Sequence, residues 1–211
     1  MFILLQQYLV WTLIGVAEEK SSRVVEVLLA TVRPIQLLAG KVLGIGLVAL
    51  AQAGLFVVFA LVLAKSVGSS LLNGTAPLEI ASTLVWFLLA YAFYSWVYAA
   101  AGSLAERQDQ LQSLTFPLSL PVLLGYITSL VVASSGNTSP FFDVLAYFPP
   151  TAPFAMPVLV GLGQATWWEF TASALLSLVA TVAVAKVAAG VYRRAILRTG
   201  GRVRLREVTS R

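Results

Sequence analysis

The chain has 211 residues, 59% of them hydrophobic and only 11% charged, with a mean hydropathy of +0.88. Soluble domains run at roughly 45–50% apolar and about 25% charged, so this composition cannot cover a water-facing surface and reads as a polytopic membrane protein. The chain contains no His and no Cys, which removes the usual zinc and haem ligands, thiol and imidazole catalysis, and disulfides from consideration. The net charge of +5 is concentrated at one end. Arg193, Arg194, Arg198, Arg202, Arg204, Arg206 and Arg211 face only Glu207 after residue 192, so a nucleic-acid partner is not implied.

Five stretches are apolar enough to be read as spans of about 20 residues. They lie near 1–17, 42–64, 79–103, 114–133 and 169–190. The expected fold is all-α, a transmembrane helix bundle over 1–192 followed by a basic tail at 193–211. Orientation follows Lys and Arg in short connections. Lys20, Arg23, Arg33, Lys41, Arg107 and the tail share one side, whereas the other holds Lys65, Glu79, Asp143 and Glu169. This places the N-terminus outside and the C-terminus in the cytoplasm of a cell-membrane protein, with Trp167, Trp168 and Tyr192 as interface anchors of the last span. The first stretch, 17 residues without a basic leader region, reads as the opening of the C-terminal part of a longer protein.

No span carries a central ionisable group, which disfavours an ion-coupled carrier. Gly40-Lys41 lacks the remaining phosphate-loop residues, and no metalloprotease or serine-hydrolase motif is present. No catalytic residue and no metal site are expected, and any ATP-driven work needs a separate chain. Gln52 is the main polar side chain at depth and suits either an interhelical hydrogen bond or a substrate ligand. Tyr91, Tyr94 and Tyr98 share one face at i, i+3, i+7 and suit either core packing or a pathway for amphipathic substrates. Gly40-x-x-x-Gly44 permits close helix approach, within the bundle or between subunits. Pro149, Pro150, Pro153 and Pro157 oppose an ordinary helix. They predict a short broken or re-entrant outer segment, read either as an outer gate or as an ordered loop.

Residues 18–33 form a candidate amphipathic helix at the inner surface. Val24, Val25, Leu28, Leu29 and Val32 make the apolar stripe, with Glu19, Arg23, Glu26 and Arg33 opposite. Glu19–Arg23 and Arg23–Glu26 have the spacing of weak helical ion pairs. Pro34 ends this helix and suits the first position of the next. Such an element is either an interfacial elbow or a docking helix for a cytoplasmic partner.

The pattern Glu18-Glu19-Lys20-x-x-Arg23-x-x-Glu26-Val27-Leu28-Leu29, then Pro34 and Gly40-Lys41-x-x-Gly44, resembles the signature of ABC-2 type permeases. The nearest branch is that of bacterial sodium-efflux permease subunits. Tyr147-Phe148-Pro149-Pro150-Thr151-Ala152-Pro153-Phe154-Ala155-Met156-Pro157 and Tyr192-Arg193-Arg194-Ala195-Ile196-Leu197-Arg198-Thr199-Gly200 are similar to later segments of that family. The resemblance implies ATP-driven export of sodium, drugs or other substrates, with ATP and Mg on an ABC ATP-binding subunit and a second permease copy completing a dimer. It implies that Glu18, Glu19, Lys20, Arg23 and Glu26 transmit force through a coupling helix at 18–33. Such permeases carry a further span and an outer segment ahead of the part resembled here. The alternative from another class is a non-transport anchor that docks a cytoplasmic partner.

Overall fold

The computed structural model describes residues 1–21, 34–67, 76–105 and 108–197. Within them lie seven helices and no strand. They are α1 (Phe2–Ser21), α2 (Pro34–Ser66), α3 (Ala76–Leu104), α4 (Gln108–Ser135), α5 (Pro140–Tyr147), α6 (Ala152–Gly161) and α7 (Trp167–Leu197). The fold is therefore an all-α polytopic bundle.

Four of the seven, α2, α3, α4 and α7, are long and apolar enough to cross a membrane. At 1.5 Å per residue the 33 residues of α2 extend about 50 Å, more than the roughly 30 Å hydrocarbon core. The fifth expected span is a helix, α1, but does not reach that standard. Its apolar run is interrupted by Gln6-Gln7 and closed by Glu18-Glu19. The helix also continues through Ser21, so the break expected after Ala17 falls later and Glu18 to Ser21 belong to α1. Residues 22–33, which hold most of the expected coupling helix including Arg23 and Glu26, lie outside the described residues, as does the arginine tail from 198 onward.

Helix α3 is the axis of the bundle. Of its apolar window 44% is buried, against 17–22% for the other three long helices. It packs against α1, α2, α6 and α7. Two cores form along it. One gathers Leu5, Tyr8, Leu9, Leu13 and Val16 of α1 around Phe87, Tyr91, Tyr94 and Tyr98. The other wraps Phe142, Leu145, Ala155, Met156 and Leu159 around Trp86, whose ring meets Phe170 of α7 edge-on at 5.7 Å.

The proline-rich stretch is broken, as expected, and its second half is a regular helix, α6. Pro149 and Pro150 occupy the turn between α5 and α6. Pro153 sits in the first turn of α6, where an N–H has no helical partner anyway. Pro157 is inside the helix, and its missing N–H idles only one carbonyl, four residues earlier in that first turn. Thr151 fastens the turn, its hydroxyl donating to the Leu145 carbonyl at 2.7 Å. Helix α4 likewise runs unbroken through Pro117 and Pro121. Gly136, at φ +68°, lets the chain leave α4 in the left-handed conformation. Glu169 caps the start of α7, its carboxylate accepting from the Thr166 N–H at 2.8 Å and from the Thr166 hydroxyl at 2.5 Å.

Candidate functional site

The tyrosine face of α3 is where the bundle is tied together. Tyr91, Tyr94 and Tyr98 are all buried, and each hydroxyl reaches a different element. Tyr91 donates to the Val42 carbonyl of α2 at 2.8 Å. Tyr94 donates to the Pro150 carbonyl, in the α5–α6 turn, at 2.7 Å. Tyr98 donates to the Gln6 side-chain oxygen of α1 at 3.1 Å. In lipid, where helices gain little from apolar contact alone, such interhelical hydrogen bonds are part of what fixes their arrangement. Gln52, the polar group at depth in α2, accepts from the Tyr8 hydroxyl of α1. Sequence spacing placed the three tyrosines on one face but could not show that one face touches three partners.

Tyr94 links this network to the turn between α5 and α6. Tyr94→Phe strands the Pro150 carbonyl, at a cost of about 1–2 kcal/mol. Limited proteolysis in detergent should then cut the α5–α6 turn faster while the rest of the bundle resists as before.

A second cluster joins α1 to α2. Lys41, expected at an inner helix end, does more than extend towards the surface. Its ammonium group pairs with the Glu19 carboxylate at 2.6 Å and donates to the Gly15 carbonyl at 2.5 Å. Glu19 is thus engaged across helices, in addition to the spacing that suggested Arg23. Tyr192, expected as an interface anchor, is instead buried in the core. Trp167 and Trp168 are exposed, 82% and 55%, as an aromatic belt requires.

Among the described residues the expected small-residue face has no close partner: a Cβ added to Gly40 or Gly44 meets no atom of another helix within 4 Å. Close approach occurs elsewhere. A Cβ on Gly46 would meet the Tyr91 ring at 2.7 Å, and one on Gly102 would run into the Leu13 carbonyl of α1. No pattern of spacing in the sequence marked Gly102.

Helix α1 is two-sided. Leu5, Tyr8, Leu9, Thr12, Leu13 and Val16 are buried at helical spacing. Ile3, Gln7 and Trp11 are exposed on the other face. On the core side, Tyr126 of α4 stacks on Phe2 with ring centroids 4.6 Å apart. An amide such as Gln7 is costly against lipid chains, since nothing there can hydrogen-bond it. That face therefore suits a protein partner or a water-accessible passage. Among the described residues no group of three or more acidic side chains is placed to hold a metal ion.

Residues 1–191 match the family described as ABC-2 family transporter protein. This chain belongs to the ABC-2 transporter family. It is 30% identical over 192 residues to the uncharacterized protein YhaP of Bacillus subtilis, covering 86% of this chain and 46% of YhaP. It is 28% identical over 170 residues to the uncharacterized protein MJ1024 of Methanocaldococcus jannaschii, covering 80% of this chain and 40% of MJ1024. The chain thus spans less than half the length of these two relatives. No solved structure matches it. Membership and the four long apolar helices together make it a multi-pass membrane protein of that family.

Proposed function

We propose that this chain is the membrane-spanning permease portion of an ATP-driven exporter in the cell membrane. With α1 taken as a fifth crossing, its N-terminus is outside and its C-terminus cytoplasmic, and a separate ABC ATP-binding subunit supplies the energy. A second permease copy completes the complex. The observation that carries this reading is the family match across residues 1–191. The absence of any phosphate-loop motif from the sequence supports placing ATP and Mg on the partner.

The coupling surface is the segment 18–33, with Glu18, Glu19, Lys20, Arg23 and Glu26 as its contacts. The proposed passage runs along the outward face of α1, where Gln7 and Trp11 are exposed. An amide one helical turn from the Trp11 ring suits an amphipathic organic substrate. The tyrosines of α3 are engaged in holding helices together, so they support the passage from behind and do not line it.

The test is reconstitution of the complex in liposomes with its ATP-binding subunit. Wild-type permease is expected to co-purify with that subunit and to stimulate its ATP hydrolysis. Reversing Arg23→Glu together with Glu26→Lys is expected to cut the stimulation roughly ten-fold, the scale of a typical coupling energy, with membrane insertion unchanged. Full stimulation by the reversed variant overturns the coupling assignment. A wild-type permease that binds a nucleotide-free cytoplasmic protein and stimulates no hydrolysis restores the anchor reading.

A further inference from the structure

We propose that Lys41, Glu19 and Gly15 form a clasp that makes α1 and α2 a single lever, so that motion of the segment between them enters the bundle at this point. The inference rests on the reading of the chain as an ATP-coupled permease and assigns a positioning role within it.

The geometry is specific. Lys41 lies 26 positions from Gly15 in sequence, yet its ammonium group bridges two groups of α1 one helical turn apart, the Gly15 carbonyl at 2.5 Å and the Glu19 carboxylate at 2.6 Å. Gly15 makes the path possible. A Cβ there would stand 3.0 Å from both Cε and Nζ of Lys41, so the stem crosses α1 in the groove left by the missing side chain. The two charged side chains are only 18% and 30% exposed, which limits screening by water. Charge-assisted hydrogen bonds of this length are stronger than neutral ones. Drawing α2 away from α1 would break two of them at once.

Position gives the clasp its consequence. Glu19 is in the last turn of α1 and Lys41 in the second turn of α2, so the clasp closes the base of the connecting segment. A displacement of that segment cannot be absorbed by splaying its two helices. It is passed to both together. The next residue, Val42, accepts the Tyr91 hydroxyl at 2.8 Å, which carries the same motion to α3. A clasp that only added stability would not need to sit at the mouth of the connection, nor beside the bond to the central helix.

The chain has no native cysteine, so a distance across the bundle can be read from two introduced labels. Ile3→Cys and Trp167→Cys place spin labels on exposed outer ends of α1 and α7. The complex with its ATP-binding subunit is measured in liposomes, nucleotide-free and then trapped with ATP and vanadate. With the clasp intact, trapping is expected to shift the distance distribution. Lys41→Met, which removes both bonds, should lose roughly half or more of that shift, on the scale by which coupling residues act. The complex should still assemble and its thermal midpoint should remain within a few degrees of wild type. Lys41→Arg, which keeps a cation in reach of both acceptors, should retain the shift, and Glu19→Gln should be intermediate. If Lys41→Met does not insert, Glu19→Gln carries the test. A full shift in Lys41→Met or in Glu19→Gln overturns the clasp as a lever, and so does Lys41→Arg as defective as Lys41→Met. A wild-type complex that never assembles with an ATP-binding subunit overturns instead the reading on which the lever depends.

Discussion

Gly102→Ala is expected to destabilise the bundle by about 1–3 kcal/mol, the usual cost of forcing an atom into a packed interface. The added methyl group would meet the Leu13 carbonyl oxygen, with the Leu13 carbonyl carbon only 3.2 Å away. Backbone, not a movable side chain, stands in its way, so α1 and α3 must separate. Their interface is one of the most extensive in the chain, and the displacement would strain the Tyr98–Gln6 hydrogen bond nearby in the same interface. Gly44→Ala is the matched comparison. Among the described residues no atom outside its own helical turn lies within 4 Å of the added carbon, and exchange of Gly for Ala inside a helix favours the helix by up to about 1 kcal/mol. Thermal unfolding of both variants in detergent, followed by circular dichroism, checks the contrast. Equal midpoints for the two would mean that α1 and α3 do not approach as described.

Trp86→Ala should be more damaging still, by about 3–5 kcal/mol. Trp86 is fully buried and is the largest such side chain in the chain. It fills the space between Phe142 and Leu145 of α5, Met156 of α6 and Phe170 of α7. In a bilayer the loss comes from dispersion contacts and a cavity and not from exposure to water. The damage should be regional. Fluorescence or hydrogen exchange would show α5 and α6 loosening first, because they are short and depend on this core, whereas the Leu5–Tyr8–Tyr98 core persists. Trp86→Phe should recover most of the loss. Uniform loosening of both cores would contradict the division into two.

The long helices were legible because their signal is local. Runs such as Leu43–Leu63 and Phe170–Ala189 need only length and hydrophobicity to be recognised, and both lie inside helices. Prolines misled where the rule applied to them depends on position. Pro153 is harmless in a first turn and Pro157 idles one carbonyl within that turn, so α6 forms despite both. Glu18 and Glu19 look like the start of a new helix when charge is read alone. In the structure they complete α1, since a backbone already helical extends more easily than a new one nucleates. Tyr192 looked like an anchor because aromatic residues collect at interfaces, but the side of α7 it occupies turns towards α3 and the core.

What the sequence by itself determined is class: an all-α membrane bundle carrying the marks of an ABC-2 permease. This follows from composition and from spacings within one or two helical turns. What only the tertiary structure decided is which helix is central and which groups meet. Gly102 against Leu13, Lys41 across Gly15 to Glu19, and one tyrosine face serving α1, α2 and the α5–α6 turn are contacts between residues 22 to 92 positions apart. In an apolar medium every helix surface is similarly hydrophobic, so periodicity cannot say which face is buried. Only close packing and the need of each buried polar group for a partner make that choice.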